Sequence, residues 1–196
     1  IAAALRPYQG VLAAATGHIN VHETGAIEAT GHKVLALPDK EGKVRAAAVD
    51  AYVRGHWADP THEHMVQPGM VYISYPTELG TLYSINEVKA LAELAHSYGM
   101  LLHMDGARFA NAVAALGCTP AELTTEAGVD VLSFGGTKNG LMLADAVVFM
   151  NEQLATNFMY QRKNAMQLAS KMRFLAAQFT EYLTNNLWIE LAENSN

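Results

Sequence analysis

The chain has 196 residues, of which 51% are hydrophobic and 16% are charged, and its formal net charge is −6. A sequence this apolar buries enough surface to offset the entropy lost on folding, which excludes an intrinsically disordered chain. The acidic balance argues against nucleic acid or an anionic membrane as partner, so we expect small-molecule chemistry. No apolar run approaches the ~20 residues that span a bilayer, and the single cysteine excludes an intramolecular disulfide. We therefore expect a cytoplasmic protein.

In chain order, the first predicted strands are His18–His22 and Lys33–Leu37, and a helix is predicted from about Ala46. The following loop carries His62 and His64 in an H-x-H pattern. Two neighbouring histidines do not make a metal site without further ligands, so we expect a solvated loop and no metal.

The next segment has the pattern of a strand, a crossover helix and a second strand. The strands are predicted at Val71–Tyr75 and Met100–Met104. Between them, Ser84 and Glu87 form an S-x-x-E capping box, and Gly99 is a typical helix stop. This alternation predicts an α/β fold with a mostly parallel sheet.

The pattern then repeats. A helix is predicted over about Ala107–Leu116, followed by a strand at Val129–Phe134. Between them, a short helix is predicted to start with Thr119 as cap, Pro120 in the first turn and Glu122 as the partner of Thr119 in a capping box. The next apolar run, Ala144–Met150, follows so closely that the loop between the two strands has no room for a helix. A long amphipathic helix is predicted across about Ala165–Thr184.

Candidate functional residues lie just after predicted strands, where open α/β sheets bind ligands. Asp105 follows one strand directly, and Lys138 lies in the glycine-rich loop Gly135–Gly140 after another. A lysine that loses solvation in such a crevice is a nucleophile toward aldehydes, and an aspartate can stabilise a protonated ring nitrogen. The loop lacks the glycine spacing of a phosphate-binding P-loop. From position alone, a turn aspartate and a solvated lysine remain the alternative.

Three stretches carry a family resemblance: HINVHETGAIEATGHKVL (His18–Leu35), HMDGAR (His103–Arg108) and DVLSFGGTKNGLMLADAVVF (Asp130–Phe149). They resemble the low-specificity L-threonine aldolase and aromatic amino acid β-eliminating lyase family. Its members are pyridoxal 5'-phosphate (PLP) enzymes of the aspartate-aminotransferase fold. The resemblance implies a three-layer α/β sandwich, the large domain of PLP-dependent transferases.

The resemblance also implies roles for individual residues. Lys138 matches the Schiff-base lysine, Asp105 the partner of the pyridine nitrogen, and Arg108 the arginine that binds the substrate carboxylate. His18 matches the histidine that stacks on the cofactor ring and is a candidate base for the β-hydroxyl proton. Thr137 is a candidate to bind the cofactor phosphate through its hydroxyl.

A further group of candidates follows the strand at Val71–Tyr75. Tyr75, Thr77 and Glu78 are expected to line the cofactor pocket. Members of the family often have a histidine near this point, and this chain has none, so the identity of the base stays open.

The implied reaction is retro-aldol cleavage of L-threonine or L-allo-threonine to glycine and acetaldehyde. The alternatives are a PLP-dependent β-eliminating lyase that acts on another β-hydroxy or aromatic amino acid, and a non-catalytic α/β scaffold. The expected partners are an amino acid substrate and further copies of the chain, in a homodimer or homotetramer.

The resemblance further implies a domain organisation. Residues 1–150 correspond to the central part of the PLP-binding large domain, and residues 151–196 to a helical segment that leads toward a C-terminal small domain. On this expectation the N-terminal segment and the small domain of the family lie outside the 196 residues, and the isolated chain is inactive.

Overall fold

A computed structural model describes residues 1–196, and a six-stranded sheet forms its centre. The strands lie in the order β2-β1-β3-β4-β5-β6; the first five in that order run parallel, and β6 pairs antiparallel with β5 at the edge. The predicted α/β class with a mostly parallel sheet is therefore confirmed. The strands are β1 (Gln9–Ala14), β2 (Val34–Leu37), β3 (Gln67–Ser74), β4 (Leu101–Gly106), β5 (Val131–Gly135) and β6 (Asp145–Phe149).

Eight α-helices connect or follow these strands, and none is long and apolar enough to cross a membrane. The predicted capping boxes are confirmed: Ser84 and Glu87 bond reciprocally at the start of α3, as do Thr119 and Glu122 at the start of α5. The helices are α1 (His18–Val21), α2 (Ala46–Ala58), α3 (Ile85–Ser97), α4 (Phe109–Leu116), α5 (Pro120–Leu123), α6 (Phe158–Asn164), α7 (Arg173–Leu183) and α8 (Leu187–Ser195).

Two predicted elements are wrong. His18–His22 is not a strand: its first four residues form the single helical turn α1, in which only Ile19 is buried. The strand of this region is β1, whose alanine-rich sequence QGVLAA has little strand propensity but lies buried between two other strands. Tertiary burial overrides local propensity there.

The second error is the long helix across Ala165–Thr184. It is interrupted, because Met166 and Lys171 adopt left-handed backbone angles with φ of 59° and 60°. The chain instead forms α6 before this interruption and α7 after it. Apolar periodicity alone does not reveal such a break.

The sheet has a different core on each face, as the period-2 alternation of strands requires. On one face, 28 buried residues form the main core with α2, α3, α4 and α5, and Tyr182 of α7 belongs to it. On the other face, a second cluster of 8 buried residues includes Tyr72 of β3. Asp105 follows Met104 in β4, and Met104 faces the main core. The side chain of Asp105 therefore lies on the other face of the sheet, the one that also carries Tyr72.

Candidate functional site

A cavity of about 470 Å³ opens at the carboxyl ends of the central strands. Open α/β sheets bind ligands beyond the carboxyl ends of the strands, at the point where the strand order reverses direction. Here that point lies between β1 and β3, because β2 is on one side of β1 and β3 is on the other. The cavity brings together four of the five residues to which the resemblance assigns roles, His18, Asp105, Arg108 and Lys138. The fifth, Thr137, is not among the twelve residues that line it.

Asp105 is placed by the register of the sheet. It lies beside Ser74 of β3 and Ser133 of β5, in the row where these parallel strands end. Its Oδ1 accepts a hydrogen bond of 3.1 Å from the backbone N–H of Ala107, and its Oδ2 accepts one from the hydroxyl of Tyr72. The carboxylate therefore has a fixed orientation at the floor of the cavity.

Tyr72 is a permanent donor in this arrangement. Burial, and then the negative charge of Asp105, raise the pKa of Tyr72 far above its usual value. The hydroxyl consequently stays protonated and cannot compete with Asp105 for a cation.

His103 supports this face of the sheet without charge. It is buried, and burial lowers its pKa to about 3 because the imidazolium form would lose its solvation. Its Nε2 lies 3.0 Å from the hydroxyl oxygen of Ser133, and its ring packs against Tyr72 with centroids 5.4 Å apart. Asp105 is therefore the charged group of β4 that faces the cavity.

Lys138 is positioned by a close approach of two backbones. A Cβ at Gly135 would lie 2.2 Å from the carbonyl oxygen of Ala107, so only glycine lets the end of β5 pack against the turn after Asp105. The side-chain amide of Asn139 then donates to the carbonyl oxygens of Ala107 (3.0 Å) and Gly135 (2.7 Å). These contacts bring the lysine loop to the aspartate.

We expect Gly135→Ala to lower the free energy of unfolding by about 1–3 kcal/mol, the usual effect of forcing extra volume into a packed site. Gly55→Ala is the matched control. It lies exposed in α2 with nothing within 4 Å of the added Cβ, so it should change stability by no more than about 1 kcal/mol, in the stabilising direction. Urea unfolding of both variants measures the difference; similar effects would contradict the packing role of Gly135.

Lys138 and Arg108 are the cations of the cavity. Neither takes part in any of the six salt bridges of the chain, and both are exposed. The amine of Lys138 is therefore accessible and free of an ionic partner. Arg108 lies directly before α4. Its planar guanidinium group is free to bind a carboxylate through two parallel hydrogen bonds.

Thr137 has a local partner. Its hydroxyl accepts a 3.0 Å hydrogen bond from the N–H of Ala144, while its own N–H donates to Asp145 Oδ1 at 3.1 Å. These bonds close the loop between β5 and β6. A phosphate-binding role for Thr137 stays a prediction.

His18 also lines the cavity, and its ring lies between two carboxylates. Its Nδ1 is 3.2 Å from Oε2 of Glu78, and its Nε2 is 2.9 Å from Oε1 of Glu23. Its backbone N–H points to the hydroxyl oxygen of Ser74 at 3.5 Å. The start of α1 thus lies next to the end of β3.

The sequence missed Tyr72, Ser74 and Asn111 as residues of the site. Ser74 and Asn111 line the cavity, and Tyr72 lies beneath it as the partner of Asp105. Of the group after β3, Thr77 and Glu78 line the cavity as expected, whereas Tyr75 is buried in the main core and is not a lining residue. The alternation of side chains along a strand could have placed Tyr72 and Ser74 on the same face of β3. Only the register between β3 and β4 shows that both lie near Asp105.

The chain is similar to known proteins in both sequence and fold. The sequence profile of the beta-eliminating lyase family matches residues 1–195. The chain is 42% identical over 198 residues to the low specificity L-threonine aldolase of Pseudomonas aeruginosa, covering 100% of this chain and 56% of that protein. The structure of a threonine aldolase from Leishmania major superimposes with a TM-score of 0.91 at 36% identity, covering 99% of this chain and 56% of that one.

The fold extends to more distant proteins. A PLP-bound C-S lyase from Staphylococcus hominis superimposes with a TM-score of 0.67 at 13% identity, covering 99% of this chain and 48% of that one. At that identity the likeness shows the fold alone. The chain spans about half the length of the curated relatives that it matches.

Proposed function

Because the chain belongs to the beta-eliminating lyase family, we propose that the protein is a PLP-dependent carbon–carbon lyase that cleaves L-threonine or L-allo-threonine to glycine and acetaldehyde. One observation carries the proposal: a single cavity contains Lys138, Asp105, Arg108 and His18, which come from separate segments of the chain. The identity to low specificity L-threonine aldolases supports the choice of reaction.

The donor set of the cavity fits this cofactor. Lys138 offers a primary amine without an ionic partner for the aldehyde, and Asp105 offers an oriented carboxylate for the pyridine nitrogen. Each oxygen of Asp105 keeps a second lone pair after its bond to Tyr72 or Ala107. The cavity volume also lies within the range of ordinary cofactor pockets, about 300–1,000 Å³.

When bound, PLP supplies an electron sink that stabilises negative charge at the substrate Cα. The protein must keep the ring nitrogen protonated for this purpose. Asp105 does so through its negative charge, and the permanent hydrogen bond from Tyr72 holds its oxygens in place.

The remaining residues orient the substrate and move protons. Arg108 binds the substrate carboxylate through its guanidinium fork, which fixes the rotation about the bond next to Cα. Lys138 lines the same cavity, and its amine can return a proton to Cα once the aldehyde has left. Positioning of this kind favours cleavage of the Cα–Cβ bond over loss of the Cα proton.

Product analysis of the purified, PLP-loaded, full-length gene product tests the proposal. We expect acetaldehyde and glycine in equal amounts from L-threonine or L-allo-threonine. A 2-oxo acid with ammonia would instead indicate the β-eliminating lyase, and failure to bind the cofactor would indicate the non-catalytic scaffold.

We also propose that the enzyme is cytoplasmic and assembles as a homodimer or homotetramer. The single free cysteine suits a reducing compartment, where disulfides are rare. Cell fractionation tests the first proposal and sedimentation analysis the second; a secreted or strictly monomeric active enzyme would contradict them.

A further inference from the structure

Two acidic side chains line the cavity, Asp105 and Glu78. Asp105 already receives hydrogen bonds on both oxygens and is assigned to the cofactor ring. Glu78 has a bond on one oxygen only: Oε2 faces His18, whereas Oε1 has no hydrogen-bond or ionic partner. Glu78 therefore presents an open proton acceptor to the cavity.

His18 is the other candidate to accept a proton, but its ring nitrogens are both occupied. Nδ1 faces the carboxylate of Glu78 at 3.2 Å, and Nε2 faces the carboxylate of Glu23 at 2.9 Å. A neutral imidazole has one N–H and one lone pair, so it would turn a lone pair toward one of these carboxylates. The arrangement suits a ring that donates to Glu78 rather than one that accepts from a substrate.

The backbone holds Glu78 at the tip of a tight turn. The buried hydroxyl of Thr77 lies 2.7 Å from that of Thr81 and accepts from its N–H at 3.2 Å, and the N–H of Gly80 donates to the carbonyl of Thr77 at 2.9 Å. The turn thus fixes the main chain on both sides of Glu78. The side chain, 28% exposed, is free to face the cavity.

We propose that Glu78 is the catalytic base for the substrate β-hydroxyl and that His18 is its positioning partner; this rests on the proposed function. The hydroxyl proton passes to Oε1 of Glu78, and the electron pair of the O–H bond forms the carbonyl of the released aldehyde. The pair of the Cα–Cβ bond remains at Cα until a proton returns there, which yields glycine. No oxidant or reductant is needed, because every atom of the substrate is recovered in the two products.

The experiment compares two glutamine variants of the PLP-loaded, full-length enzyme. Glu78→Gln keeps the size of the side chain but removes the carboxylate that takes up the proton, so we expect kcat for threonine cleavage to fall on the order of 10²–10⁴-fold, with cofactor affinity and KM little changed. Glu23→Gln removes the other carboxylate beside His18. Glu23 is outside the cavity and 48% exposed, so we expect a change of at most about fivefold.

A binding measurement adds a readout that does not depend on turnover. L-Serine and L-alanine differ only by the hydroxyl, and their affinities can be compared through the absorbance of the bound cofactor. In Glu78→Ala, the preference for serine over alanine should fall by about tenfold or more, the usual effect of losing a hydrogen bond to a charged group. A variant that merely disturbed folding would lose affinity for both ligands equally.

The outcomes separate the two proposals. Wild-type enzyme that cleaves threonine while Glu78→Gln stays within fivefold of it, or an unchanged serine preference in Glu78→Ala, overturns the role of Glu78 alone. Wild-type enzyme that cleaves no β-hydroxy amino acid overturns the proposed function and this inference with it. Losses of the same size in Glu78→Gln and Glu23→Gln would identify His18, not Glu78, as the group that matters.

Discussion

Replacing Lys138 with alanine should lower kcat for threonine cleavage by at least about 10³-fold, because it removes both the covalent attachment of the cofactor and a proton-transfer group. Lys138 can attach the cofactor because it lines the cavity together with Asp105 and its amine has no ionic partner. Borohydride treatment of the wild-type holoenzyme, followed by peptide mass analysis, should show the cofactor mass on the peptide that contains Lys138.

The matched control is Lys163→Ala. Lys163 is an exposed residue near the end of α6, outside the cavity, and its replacement should leave both kcat and the borohydride adduct as in the wild type. An adduct on any peptide other than that of Lys138, or an adduct that persists in Lys138→Ala, would show that the cofactor is not attached to Lys138.

The elements that the sequence predicted correctly are those defined by local chemistry. The starts of α3 and α5 follow from reciprocal bonds between residues three apart, Ser84 with Glu87 and Thr119 with Glu122. The internal strand β1 was missed because its alanines acquire their strand conformation from pairing with β2 and β3. Long-range pairing of this kind leaves no local signal.

The same distinction applies to the site. Asp105 and Lys138 could be identified because Asp105 lies at the carboxyl end of β4 and Lys138 lies in the loop after β5, and parallel strands end at one edge of the sheet. Tyr72 could not, because its contact with Asp105 depends on the register between β3 and β4. The contact of Glu78 with His18 joins residues 60 positions apart, and no pattern in the sequence relates them.

Asp105→Asn should lower kcat on the order of 10²–10³-fold, the size typical of removing one preorganised electrostatic group. An amide carries no charge to hold the proton on the ring nitrogen, although it keeps the shape of the side chain. Since the hydroxyl of Tyr72 acts through the carboxylate, Tyr72→Phe alone should lower kcat by about tenfold or more, as expected for a hydrogen bond to a charged group.

The double variant decides whether the two residues form one unit. If Tyr72 acts only by orienting Asp105, adding Tyr72→Phe to Asp105→Asn should change kcat by less than about threefold, a clear departure from additivity. Tyr75→Phe is the control, because Tyr75 also bears a buried hydroxyl, bonded to the carbonyl of Tyr83, but is buried in the main core on the opposite face of the sheet. It should lower stability by about 1 kcal/mol without any coupling to Asp105. Effects of Tyr72→Phe and Asp105→Asn that simply multiply would mean that the tyrosine does not work through the carboxylate, and the fixed orientation of Asp105 would then need another cause.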